Sequence, residues 1–181
     1  WSPITELDPL PFHATNIALH ALNGILLFAI LCELFSTASR LLLVGISAIF
    51  VFHPLQTESV AWVTALKDVL SGTFTLAAIL VYVQKPLSTS IGSKNIRTNT
   101  RQLIWLSVLF LLACLSKSTR IFLPLWLMWL GHLHWKKNLS RTASELMPLF
   151  FIAAIVMLIA LATQPNPKIM NYQSLWHRPW V

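Results

Sequence analysis

Apolar positions along the 181-residue chain come in long blocks, with no two-residue or 3.6-residue rhythm sustained across them. Six blocks stand out, at residues 15–34, 41–52, 69–83, 103–115, 121–135 and 146–163. A helix that is apolar all round belongs in a core or in a bilayer, and about 20 apolar residues are needed to cross one. The pattern predicts an all-α polytopic membrane protein with about six transmembrane helices. The second block is short, and reaches a usable length only if its helix starts near Ser36 and Arg40 snorkels to the headgroups.

The polar segments between the blocks set the expected orientation. Residues 84–102 carry Lys85, Lys94, Arg97 and Arg101, and residues 136–141 carry Lys136, Lys137 and Arg141. Short loops rich in Lys and Arg stay cytoplasmic. Alternation then places 1–14, 53–68, 117–120 and 164–181 on the outer side. The expected organisation is an outer segment at 1–14, a transmembrane domain at 15–163 and an outer tail at 164–181.

Composition agrees with this reading. The chain is 56% hydrophobic and 10% charged, and soluble domains carry about 25% charged residues. Eight tryptophans suit the membrane–water boundary. The net charge of +7 sits in interhelical loops and not on a soluble basic face, which argues against nucleic acid as a partner. Cys32 and Cys114 fall in opposite leaflets under this topology, so they are not expected to pair. Phosphate-cradling glycine loops, a GxSxG elbow and a nucleotide fingerprint are missing from the sequence.

Four polar features remain as candidate chemistry. His13, Asn16, His20 and Asn23 follow spacings that keep them on one side of a helix. Such a stripe either joins spans by interhelical hydrogen bonds, the reading preferred for Asn23, or lines a site. The second feature is "FHPLQTESVAWVTALKD", residues 52–68, with His53, Glu58, Lys67 and Asp68. Its residues 57–68 can continue as a helix into the third block, with Lys67 as a charge partner for Asp68. Glu58 and Asp68 would then lie ~15 Å apart, beyond the ~5–9 Å of a carboxylate pair that shares one reaction. Each could serve alone, or both could be surface charges of an interfacial helix.

The third feature is "LSKSTR", where Lys117 and Arg120 at i and i+3 would project from one side of a helical turn. Two cations on the outer side run against the positive-inside bias. They mark either an anion site, phosphate above all, or a solvated hairpin turn. The fourth is "GHLHW", whose His132 and His134 diverge at i and i+2 with no carboxylate near, so no metal site is expected there.

The stretches "HATNIALHALN", "HPLQTESVAWV", "KDVLS" and "LSKSTRIFLP" together resemble the membrane domain of bacterial tetratricopeptide-repeat membrane proteins. These are related to the transmembrane-and-tetratricopeptide-repeat O-mannosyltransferases, within the GT-C superfamily of lipid-linked-sugar transferases. The resemblance implies a partial GT-C-like bundle that takes a sugar, mannose for choice, from a polyprenyl-phosphate carrier to an exoplasmic hydroxyl. By position it implies that Lys117 sits near the donor phosphate, and the paired-cation reading adds Arg120 as its expected second ligand. Glu58 and Asp68 become the candidate bases, and His13, Asn16, His20, His53 and Lys67 line the cavity. The implied partners are membrane lipid and the lipid-linked donor, with a protein or glycan acceptor left open, as is a divalent metal. The implied location is multi-pass in a bacterial inner membrane, or in the endoplasmic reticulum of a eukaryote.

Departures from the family pattern shape one further expectation. Leu66 stands where relatives have an Arg before the "KD" pair, and Ser118 where an acid commonly follows the "SK" lysine. Residues 1–14 are read as an exoplasmic remnant of the family's first loop, most of which, with its usual catalytic Asp, is expected to be missing, as are the tetratricopeptide repeats. A fragment or degenerate copy is expected, inactive alone. The alternative function is a non-catalytic membrane anchor or assembly module that keeps the fold.

Overall fold

The structure is a computed structural model that describes residues 10–56, 62, 65–85, 87–89 and 97–163. Glu58, the 1–9 part of the opening segment and the 164–181 tail lie outside the described residues. Regular structure among the described residues is helical apart from one minimal ladder. Helix α1 is Leu10–Leu34, α2 is Arg40–Phe52 and α3 is Leu66–Gln84, with a 3-10 turn at Pro54–Gln56. After the two-residue strands β1 (Ser88–Thr89) and β2 (Arg97–Thr98) come α4 (Thr100–Ser116) and a 3-10 turn at Ser118–Phe122. Then follow α5 (Leu123–Trp135), α6 (Leu139–Glu145) and α7 (Met147–Ala162).

Local sequence explains where these helices start and stop. Proline lacks an N–H and is tolerated only in a first turn, so Pro124 and Pro148 sit at the starts of α5 and α7. Asn99 and Asn138 accept backbone N–H groups through their side chains and begin α4 and α6. Helix α5 ends on Lys136 at φ 50°, the one positive-φ residue other than glycine among the described residues.

Packing directions follow from the cross-helix hydrogen bonds. Asn16 Nδ2 donates to the Trp62 carbonyl and Asn23 Nδ2 to the Val69 carbonyl, both across 46 residues, so α1 runs parallel to the chain entering α3. Gln102 Nε2 donates to the carbonyls of Val81 and Lys85, while Ser71 Oγ donates to Ala113 at the other end. Helices α3 and α4 are therefore antiparallel. Helix α2 returns along α1, with His20 Nε2 3.1 Å from the Val51 carbonyl. The apolar core gathers Ala78, Tyr82, Leu106, Phe110, Leu127, Leu146 and Leu149 from α3, α4, α5 and the α6–α7 junction.

Three expectations change. Of the six apolar blocks, two lie in helices long and apolar enough to cross a membrane, Leu10–Leu34 and Leu66–Gln84, and a third counts if α6 and α7, bent by 68°, form one span. Helices α2 and α5, at 13 residues each, are roughly 20 Å long and fall short of a ~30 Å hydrocarbon layer. Second, the 84–102 loop contains a short antiparallel ladder, and 136–141 leads into α6. Third, helix α3 starts at Leu66, so the described residues do not extend it back towards Glu58. The exposed surface stays apolar, with Ile17, Ile25, Leu41, Phe151 and Leu158 outward, as in a chain that associates with a membrane.

Candidate functional site: a cavity with one carboxylate and two cations

Asp68 stands in the first turn of α3, where a negative charge complements the helix dipole. Lys117 caps the C-terminus of α4 in extended conformation, its N–H bonded to the Ala113 carbonyl. Because α3 and α4 are antiparallel, these two helix ends meet. Lys117 Nζ lies 2.8 Å from Asp68 Oδ1, with both side chains about a third exposed (37% and 36%). The contacting Oδ1 is itself buried while both side chains are partly exposed, so the pair contributes on the order of 1 kcal/mol.

Arg120 comes from the 3-10 turn that Lys117 caps, and its N–H donates to the Lys117 carbonyl at 3.2 Å. Its Nε donates to Ser71 Oγ at 2.8 Å, and Ser71 Oγ in turn donates to the Ala113 carbonyl at 3.4 Å. The guanidinium is thus tied to a neutral hydroxyl, and no carboxylate pairs with it among the described residues. Asp68, Lys117 and Arg120 all line one cavity of about 440 Å³. His20, Asn23, Gln56 and Gly72 line it too. A Cβ at Gly72 would meet only Asn23 Nδ2, at 3.4 Å.

The remaining candidates separate. His20 is buried against Phe50, with ring centroids 5.5 Å apart, and Asn16 is fully buried and bonded to Trp62. His13 is half-buried on α1 and is not among the cavity's lining residues. His53 is exposed, and its Nδ1 accepts from the Leu55 N–H at 3.2 Å, which makes it a local turn cap. Lys67 is exposed and away from the cavity lining, so the partner of Asp68 is Lys117 and not its sequence neighbour. Cys32 and Cys114 are free. Among the described residues no cluster of three or more His, Cys, Asp or Glu could hold a metal ion.

Sequence reasoning missed Ser71, Gln56 and Gly72. Ser71 falls one turn after Asp68, and that i+3 spacing was the available signal. It also missed a second charged cluster at the far end of α5. Glu145, nearly buried, takes Lys137 Nζ at 2.8 Å and Arg141 Nε at 3.5 Å, while Lys137 lies 5.4 Å from the Trp135 ring. This cluster clamps the α5–α6 connection. An apolar hollow of about 390 Å³, lined by Phe122, Leu125, Trp126 and Trp129, contains no ionisable side chain.

With this geometry in view, curated proteins provide the comparison. A stretch of 81 residues is 33% identical to the protein O-mannosyl-transferase TMTC3 of Homo sapiens, covering 45% of this chain and 8% of that protein. Over 120 residues the chain is 32% identical to the protein O-mannosyl-transferase TMTC1 of Mus musculus, covering 65% of this chain and 12% of that protein. The chain is related to these proteins. It matches only a small part of their length. No protein-family model matches the chain. No solved structure matches it.

Proposed function

We propose that the chain is a membrane glycosyltransferase domain of GT-C-like type, which moves a sugar from a polyprenyl-phosphate donor to a hydroxyl acceptor. The observation that carries this is the convergence of Asp68, Lys117 and Arg120 on one cavity. Two cations suit the charge that develops on a departing phosphate, and a carboxylate suits the proton of the acceptor hydroxyl. In the proposed step the acceptor oxygen attacks the anomeric carbon and its proton passes to the Asp68 carboxylate. The bond from the anomeric carbon to the phosphate oxygen breaks, and polyprenyl phosphate leaves on Lys117 and Arg120. Relatives named protein O-mannosyl-transferases support mannose as the sugar and a protein as the acceptor. The cavity end of the bundle is the outer one in this reading.

The test is binding of radiolabelled polyprenyl-phosphate mannose to membranes that contain the chain. Loss of charge-assisted contacts costs ~1.5–3 kcal/mol, so Lys117→Ala/Arg120→Ala should weaken binding about 10- to 100-fold. Equal binding by the double variant would sink the reading. Where transfer is measurable, Asp68→Asn should lower its rate by about 10²- to 10⁴-fold with donor binding retained.

A further inference from the structure

The two cations of the cavity are not equivalent. Arg120 is fixed through Nε by a neutral hydroxyl, and no carboxylate pairs with it among the described residues. Lys117 is already neutralised, its ammonium 2.8 Å from the Asp68 carboxylate. A ligand phosphate that uses both cations competes with Asp68 for the Lys117 ammonium. We propose that Asp68 is the resident counter-anion of this cavity, and that a phosphate-bearing ligand binds by displacing it from Lys117. This rests on the phosphate-site reading above and goes beyond it, because it couples ligand entry to the carboxylate.

The chemistry of the exchange is favourable. An ammonium has three donors and no directional fork, so it can leave one oxygen acceptor for another without a change of rotamer class. The pair it leaves joins two side chains about a third exposed, which weakens its hold, although the contacting Asp68 Oδ1 is itself buried. Arg120 needs no such exchange and provides the first contact. Once displaced, the carboxylate stays at the α3 N-terminus, where the helix dipole favours its charge, and it is free to accept a hydrogen bond from a hydroxyl. Arrival of the phosphate therefore frees the group that the acceptor requires. Binding becomes ordered, ligand phosphate before hydroxyl acceptor.

The proposal makes Asp68 a competitor of the ligand as well as a working group. Removal of its charge should tighten phosphate binding. The experiment uses the whole chain in phosphatidylcholine nanodiscs, with undecaprenyl phosphate as the probe and native mass spectrometry as the readout. Asp68→Asn should bind the probe about two- to fivefold more tightly than wild type, the factor that corresponds to an exposed ion pair. Asp68→Ser serves if the asparagine variant does not fold. In a Lys117→Ala background the same substitution should gain nothing, because there is no pair to break. Inorganic phosphate forms a second arm. A gain with both probes upholds displacement for phosphate in general, and a gain with the lipid alone upholds it for the lipid-borne group. If Lys117→Ala/Arg120→Ala binds as wild type does, the phosphate-site reading fails and this inference with it. If that variant is weakened but Asp68→Asn is no tighter, displacement alone is overturned. A gain that persists undiminished without Lys117 also overturns it, since bulk charge would then explain the effect.

Discussion

Arg120 owes its position to one hydroxyl. Ser71 Oγ accepts from its Nε and donates its own hydrogen bond to the Ala113 carbonyl, so a single side chain joins the 3-10 turn to both α3 and α4. Ser71→Ala removes that anchor and leaves the guanidinium to find its geometry at the moment of binding. A lost hydrogen bond of this kind costs ~0.5–1.5 kcal/mol, so affinity for polyprenyl phosphate should fall about two- to tenfold. Ser116→Ala is the control, because Ser116 only bonds back to the Leu112 carbonyl on its own exposed helix turn. A titration in which both variants bind like wild type would show that Arg120 needs no anchor. At this scale the sequence showed which groups carry charge but not whom they touch. Lys67 and Asp68 are neighbours in the chain, yet successive positions on a helix diverge, and Asp68 finds Lys117 instead.

At the scale of elements, close approach of α1 and α2 depends on a missing side chain. A Cβ at Gly24 would collide with the Val51 Cγ2 methyl, whereas one at Gly45 would meet nothing within 4 Å. Gly24→Leu should therefore open the α1–α2 hairpin and destabilise the chain by about 1–3 kcal/mol, read as a lower thermal midpoint in detergent. Val51→Ala should recover part of that loss. Gly45→Ala, in the interior of α2, should be neutral or stabilising by up to ~1 kcal/mol. Equal midpoints for Gly24→Leu and wild type would mean that the two helices do not rely on this contact. The apolar blocks announced helices, and each of the six blocks overlaps one of 13 residues or more. Their capacity to cross a bilayer was less legible, because it depends on where a helix stops. Phe52 ends α2 after 13 residues, and Pro148 turns α7 away from α6.

For the whole molecule the decisive prediction is orientation. The Asp68–Lys117 pair puts the entry to α3 and the exit from α4 at one end of the bundle, and the ladder 88–89/97–98 lies at the opposite end of both helices. Seven Lys and Arg residues in 84–102 and 136–141 should hold that opposite end in the cytoplasm. In a chain without Cys32 and Cys114, a cysteine at Ser59 should react with an impermeant thiol reagent from outside, and one at Ser93 should not. The reverse labelling would place the cavity on the cytoplasmic side and end the case for exoplasmic transfer. Sequence alone determined the membrane-bound class, the helical content, and Lys117, Arg120 and Asp68 as chemistry worth following, since runs of apolar residues and stray charges are local properties. Tertiary structure decided what those charges do. Arg120 meets Ser71 across 49 residues, and Lys117 meets Asp68, only because α3 and α4 pack antiparallel with their ends in register. The same packing made Asn23 an interhelical donor, tied Asn16 to Trp62 in the chain ahead of α3, and left His53 and Lys67 outside the cavity lining. Residue spacing along one helix constrains which side chains share a face. It does not fix which face of another helix will lie opposite, because that depends on packing summed over the whole bundle.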